Sequence, residues 1–288
     1  MTAPEDLAQS AIYRHPSDNA FGRMLPRLLH ASRWSRLRRA LSQRWPMPAL
    51  VSDVRDVVYA SWWVDVRHAP PPPPGHHYVV HAGRTPYTIL SYRHGHFGPA
   101  LAGPLRALMP SPQQSNWRWY LRRDDDPQGT PRVLFDRNVM DQLAFVAGAR
   151  AFSDAMQPHL SARFEHVLDA DGAGHTLIES GQGSAPALHL HWQAAAGGSA
   201  AGWSAAFGDQ AALLRFLTCQ DEAIARTCDH RWASTRIALP VAVDTLQPLR
   251  LSGELHCPRL QAMGVALESG LAFRLPRVPF RVVSERLL

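Results

Sequence analysis

Lysine is absent from this chain. All 30 basic residues among its 288 are arginines. That excludes an internal Schiff base, a lysine-anchored pyridoxal phosphate and a P-loop lysine. Arginine does not take over these roles, because its guanidinium stays protonated. Compositional drift in a GC-rich genome accounts for the bias without selection on function, and the chemical consequence is the same. Cysteine is scarce. Cys219, Cys228 and Cys257 are too few, and odd in number, for a disulfide scaffold, and the sequence has no CxxC pair. A reducing cytoplasm is the expected compartment.

Other signals are missing as well. No run approaches 18 apolar residues, so no transmembrane helix is expected. Met1–Ser10 is polar and lacks the apolar core of a signal peptide. There is no G-x-S-x-G elbow, no G-x-G-x-x-G after a strand and no repeat of fixed period. No cofactor is expected.

The net charge of +6 is unevenly placed. Residues 1–50 hold eight arginines against three acidic residues, a balance of +5. Residues 51–288 hold 22 arginines against 21 acids, a balance of +1. Nucleic-acid binding needs basic residues spread over a folded face. The main body has no such excess, so no nucleic-acid partner is expected.

Residues 1–18 read as disordered or loosely docked. Residues 20–45 read as a basic amphipathic helix, with Trp34, Leu37, Leu41 and Trp45 at helical spacing and a break at Pro26. Such a helix can lie on a membrane surface or dock on a partner. The plainer reading packs it on its own domain with a solvated basic face.

From Val57 the pattern turns to strands. Val57–Val66, His77–His81, Tyr87–His94, Asn116–Arg122 and Arg132–Asp136 are β-branched or aromatic and separated by Gly and Pro. Pro70–Pro74 reads as a stiff loop and Asp124–Gly129 as a hairpin loop. A helix capped by Asn138 is expected to run to about Met156, and a second, capped by Asp209, over Gln210–Cys219. Further strands are expected near 160–168, 174–180 and 186–192, and again through 222–288. Regular βα alternation is missing. The fold class is therefore α+β and β-rich: a closed antiparallel barrel with two main helices and an N-terminal helical arm.

Two histidine pairs, His94/His96 and His189/His191, have i, i+2 spacing and would share a strand face. No carboxylate stands at a spacing that completes a metal site, so none is expected. In the tract Asn116-Trp117-Arg118-Trp119-Tyr120, period two puts Asn116, Arg118 and Tyr120 on one face and both tryptophans on the other. Three polar groups together suit either a ligand-lined surface or an exposed face.

Four stretches carry a resemblance: DVVYASWWVDV, SNWRWYLRR, FVAGARAFSDAMQPH and LLRFLTCQDEAIAR. In order and spacing they resemble the uncharacterised YqjF-like family of the acetoacetate decarboxylase-like superfamily. The resemblance covers residues 51–288 and leaves 1–50 as a basic extension. It implies a cone-like antiparallel barrel around a closed cavity. In acetoacetate decarboxylase a lysine just beyond the Gly-Arg helix forms the Schiff base. Here that segment reads Ala155-Met156-Gln157-Pro158-His159. The acid that precedes the strand-motif Asn is replaced by Gln114. Both parts of the decarboxylase machinery are missing, so that activity is not carried over. Asn116, Arg118 and Tyr120 match the family strand, and Arg150 matches the helix arginine.

The expected function is binding of a small acidic, carboxylate- or carbonyl-bearing molecule, with or without turnover by enolisation, dehydration or cyclisation. Arg118 would grip the anion, with Asn116, Tyr120 and Gln114 beside it. His159 or His94 would move a proton. The alternative is an interaction protein that docks through residues 20–45 on an acidic partner or membrane. Self-association into a homo-oligomer is left open.

Overall fold

The structure is a computed structural model in which residues 7–30, 36–40, 49–196 and 201–288 are described. Its frame is one 14-stranded sheet. In chain order the strands are β1 (Leu50–Asp65), β2 (His76–Tyr78), β3 (Arg84–Arg93), β4 (Gly98–Pro99), β5 (Gln113–Arg123), β6 (Arg132–Met140) and β7 (His159–Leu160). They continue as β8 (Arg163–Leu168), β9 (Gly174–Glu179), β10 (Leu188–Ala194), β11 (Glu222–Arg226), β12 (Trp232–Ala238), β13 (Gln247–Leu251) and β14 (Leu271–Leu287).

Neighbours run β4-β1-β3-β5-β6-β11-β12-β14-β13-β10-β9-β8. β14 also pairs with β1, from Leu50↔Val282 to Ser61↔Leu271. The hydrogen-bonded path β1, β3, β5, β6, β11, β12, β14 therefore returns to its start. Pairings are antiparallel except β6 with β11 and β6 with β7.

Central strands are covered on both faces, so alternate residues enter two different cores. Val58, Ala60, Trp62 and Val64 of β1 join Trp117, Trp119 and Leu121 of β5 in one cluster. Val57 and Tyr59 join Tyr92 and Tyr120 in the other. The parity expected for the 116–120 tract is thus observed. Asp209 caps the helix Gln210–Thr218 by accepting from the Ala212 amide. The Asp124–Gly129 segment is a turn between β5 and β6.

Three expectations are corrected. Asn138 is not a helix cap. It lies inside β6, opposite Asn116, and the helix spans only Leu143–Phe152. The arm is not one continuous helix over 20–45. Ala20–Leu29 is helical straight through Pro26, residues 36–40 are helical again, and Trp34, Leu41 and Trp45 lie outside the described residues. Nor is the start of the chain loose where it is described. Leu7, Ala8, Ala11 and Tyr13 are buried. The fully buried Arg150 holds this segment: its Nη1 donates to Ala11 O at 3.1 Å, and its guanidinium lies 4.8 Å from the centre of the Tyr13 ring. Arg39 adds ion pairs to Asp154 at 2.8 Å and Asp229 at 2.7 Å, and Arg38 pairs with Asp154. Among the described residues no helix is long and apolar enough to cross a membrane.

Candidate functional site

A small cavity of about 30 Å³ lies on the β5 face that carries Asn116 and Arg118. That is space for roughly two water molecules. Its walls are largely apolar, including Val54, Val57, Leu90, Phe135, Leu239 and Val278. The polar groups that reach it are Asn116, Arg118, Tyr59 and Tyr92. Met156 also lines it, from the segment beyond the Leu143–Phe152 helix.

Arg118 dominates this site. Its residue is 2% exposed. Its Nη2 donates to Leu217 O at 2.9 Å, near the C-terminus of the helix Gln210–Thr218. Its guanidinium lies 5.5 Å from the Tyr59 ring centre and 5.6 Å from that of Tyr120. Its Nε is buried without a hydrogen-bond partner among the described residues. No carboxylate among the described residues pairs with it. A buried cation with a vacant donor in an apolar cavity is costly unless an anion meets it.

The remaining expected residues are arranged behind this pair. Tyr120 points to the same face, but its hydroxyl donates to Leu217 O at 3.0 Å and sits 2.9 Å from Thr88 Oγ1. Asn116 donates through Nδ2 to the Tyr92 hydroxyl at 3.1 Å and accepts from Gln114 Nε2 at 3.0 Å. Gln114 Nε2 also donates to Asn138 Oδ1 at 2.8 Å. Its Oε1 must then be the acceptor for His94 Nε2, at 2.7 Å. His94 Nδ1 is left to accept from Ser52 Oγ at 2.9 Å. Burial pushes the His94 pKa down to about 4, so the ring is neutral. His94 therefore orients Gln114, which orients Asn116; it is not on the cavity wall.

His159 lies elsewhere. It lines a second cavity of about 30 Å³ together with Asn138, Gln157, Leu7 and Ala11, and its Nδ1 is 2.6 Å from Ser184 Oγ. The two histidines thus do not share a site, and neither lines the Arg118 cavity. His96 follows β3 with φ 52°, in a turn that does not align it with His94. Among the described residues no group of three or more His, Cys, Asp or Glu is placed to hold a metal ion.

Tyr59, Tyr92 and Met156 were not singled out as site residues by the sequence. Tyr59 and Tyr92 could have been found through strand pairing, since Tyr59 is opposite Leu90 and Tyr92 opposite Gln114. That pairing is a long-range fact. Burial raises both phenols, Tyr59 to about 12, so both are protonated donors at neutral pH.

The buried histidines make stability depend on pH. His94 and the fully buried His166 both have pKa values pushed down by burial from 6.5 to about 4. Between these values the unfolded chain binds more protons, so stability falls as pH falls. Two such groups cost roughly 3 kcal/mol between pH 6.5 and 5. Asp141 and Glu285, whose pKa values burial raises, act in the opposite direction and offset part of this in the acid range. Urea denaturation at pH 7 and pH 5 should show the loss, and His166→Gln should flatten it. Equal stability at both pH values would contradict this account.

No protein-family model and no curated protein matches the chain. Solved structures do. The enduracididine biosynthesis enzyme MppR, complexed with the condensation product of pyruvate and imidazole 4-carboxaldehyde, superposes with a TM-score of 0.54 at 12% identity, over 84% of this chain and 89% of that one. MppR complexed with pyruvate gives a TM-score of 0.52 at 12% identity, over 84% and 90%. Acetoacetate decarboxylase gives 0.51 at 10% identity, again over 84% and 90%. The fold is that of acetoacetate decarboxylase-like enzymes.

Proposed function

We propose that this chain is a YqjF-like barrel that holds a short carboxylate- or carbonyl-bearing molecule in the Arg118 cavity, without Schiff-base chemistry. The observation that carries the reading is the buried Arg118 in an apolar cavity, with no carboxylate partner and no hydrogen-bond partner for its Nε among the described residues. The return of the sheet from β14 to β1 supports a closed, cone-like barrel over residues 51–288, with 1–50 as its extension. The shared fold with an enzyme seen with pyruvate supports a ligand of that class.

In this reading Arg118 binds the carboxylate and Asn116 binds a carbonyl or hydroxyl oxygen. Gln114 and Tyr120 hold those two groups in place. The cavity-facing phenols of Tyr59 and Tyr92 are better placed to move a proton than His94 or His159. Met156 stands in the segment where the decarboxylase has its lysine. Its flexible thioether can swing to enlarge the cavity for a ligand bigger than water. Enolisation, dehydration and cyclisation fit these groups; decarboxylation through an imine does not. The three cysteines stand free, which fits a reducing cytoplasm.

The test is titration of the full chain with pyruvate and 2-oxobutyrate by calorimetry, followed by borohydride treatment and intact-mass measurement. Saturable binding with no reduced adduct is expected. Absence of binding by every short carboxylate tried, or a trapped adduct on the chain, would remove the proposal.

A further inference from the structure

The helix Ala20–Leu29 is only half used by the fold. Leu25 and Leu29 pack into a cluster with Tyr13, Phe97 and Val146. Phe21, Met24 and Leu28 fall at i, i+3 and i+7, on one stripe beside that face. They remain 45–58% exposed. Arg27, three residues after Met24, flanks this stripe and is exposed; Arg23 lies further round the helix and pairs with Asp18. Arg36 is exposed in the next described helical turn.

A second apolar exposure borders the same part of the molecule. The 3-10 segment Ala100–Leu108 begins directly after β4, whose Pro99 pairs with Leu50. Leu50 packs in the cluster that receives Leu25 and Leu29. Within the segment, Leu101, Leu105 and Leu108 are 66–84% exposed. Three exposed apolar side chains on each of two segments that flank one interior cluster are more than single scattered residues.

We propose that this face docks on an anionic lipid surface. The charge selects that occupant. Residues 1–50 carry eight of the 30 arginines against three acids, while the rest of the chain is nearly neutral. A stripe of Phe, Met and Leu beside arginines is the arrangement of an interfacial helix. The described turn 36–40 is tied down: Arg39 pairs with Asp154 and Asp229. Docking therefore brings the whole domain to the bilayer rather than a tethered peptide. Arg27 and Arg36 have no acidic partner among the described residues, and each arginine in the anionic surface potential raises partitioning about fivefold.

Co-sedimentation of the full chain with extruded vesicles tests this. Binding should be about thirtyfold stronger to vesicles containing phosphatidylglycerol than to pure phosphatidylcholine, and should weaken with salt. The triple variant Phe21→Ser/Met24→Ser/Leu28→Ser and the single variant Arg27→Glu should each lower it. All four positions are exposed, so the fold is retained, and a melting curve checks that. No preference for the anionic vesicles would overturn the proposal. So would concentration-dependent dimerisation in light scattering that the triple variant abolishes, because the patch would then serve a second copy of the chain.

Discussion

Arg118→Ala should abolish binding of short carboxylates while leaving the fold intact. Removing one partner of a buried, hydrogen-bonded charge pair costs about 2–5 kcal/mol, which is roughly a thirtyfold to several-thousandfold loss in affinity. The protein itself stands to lose little. Arg118 donates to Leu217 O, and its Nε has no hydrogen-bond partner among the described residues. Without ligand, a buried cation that lacks an anion is a stability cost, so Arg118→Met should melt at or above the wild-type temperature. Arg118→Lys should keep the charge but lose the planar fork, and bind with intermediate affinity. The pattern to look for is opposite movement of affinity and stability along Arg, Lys and Met. If pyruvate binds Arg118→Ala as it binds the wild type, Arg118 is not the anion site.

Arg150→Ala should have the opposite profile, with a large stability loss and no direct effect on the cavity. Arg150 is fully buried and donates to backbone on two sides. Its Nε donates to Pro158 O at 2.6 Å and its Nη2 to Gln157 O at 3.1 Å. Its Nη1 donates to Ala11 O at 3.1 Å and Gln157 Oε1 at 3.3 Å. Alanine would leave several buried acceptors unpaired, at about 1–3 kcal/mol each, together with a void beneath Tyr13. A total near 3–5 kcal/mol lowers the melting temperature by on the order of 10 °C. Because Ala11 loses its anchor, the chain around Arg14 should also become a preferred tryptic site. A variant with wild-type melting and an unchanged digestion pattern would show that Arg150 does not hold the N-terminal segment.

Local patterns in the sequence carried the parity of the β5 tract and the Asp209 cap, because both depend on nearest neighbours. They failed at Asn138. Val139, Leu143 and Val146 recur at helical spacing, yet Asn138 and Val139 are held in β6 by pairing with β5. A ladder to a distant strand overrides a weak helical period. The docking of residues 7–14 was invisible for the same reason. It depends on Arg150, more than a hundred positions away, and a polar, short-run segment gives no local sign of that partner. In the site, Arg118 and Asn116 were readable from period two alone. The distance of His94 from the cavity was not, since it depends on how residues 94–97 fold back over Ser52 and Gln114.

The acceptor chosen by Arg118 has an electrical consequence. Leu217 is one residue from the end of the helix Gln210–Thr218, where carbonyls lack intrahelical donors. The aligned peptide dipoles place about half a negative elementary charge at that end. The vault therefore presents to its guest a charge nearer one half than one. A monocarboxylate brings the enclosure close to neutrality, whereas a dicarboxylate overshoots it and must keep its second anion in a low-dielectric space. If the proposed carboxylate site is correct, this charge balance should favour lactate-like and pyruvate-like molecules over succinate-like ones, before shape is considered.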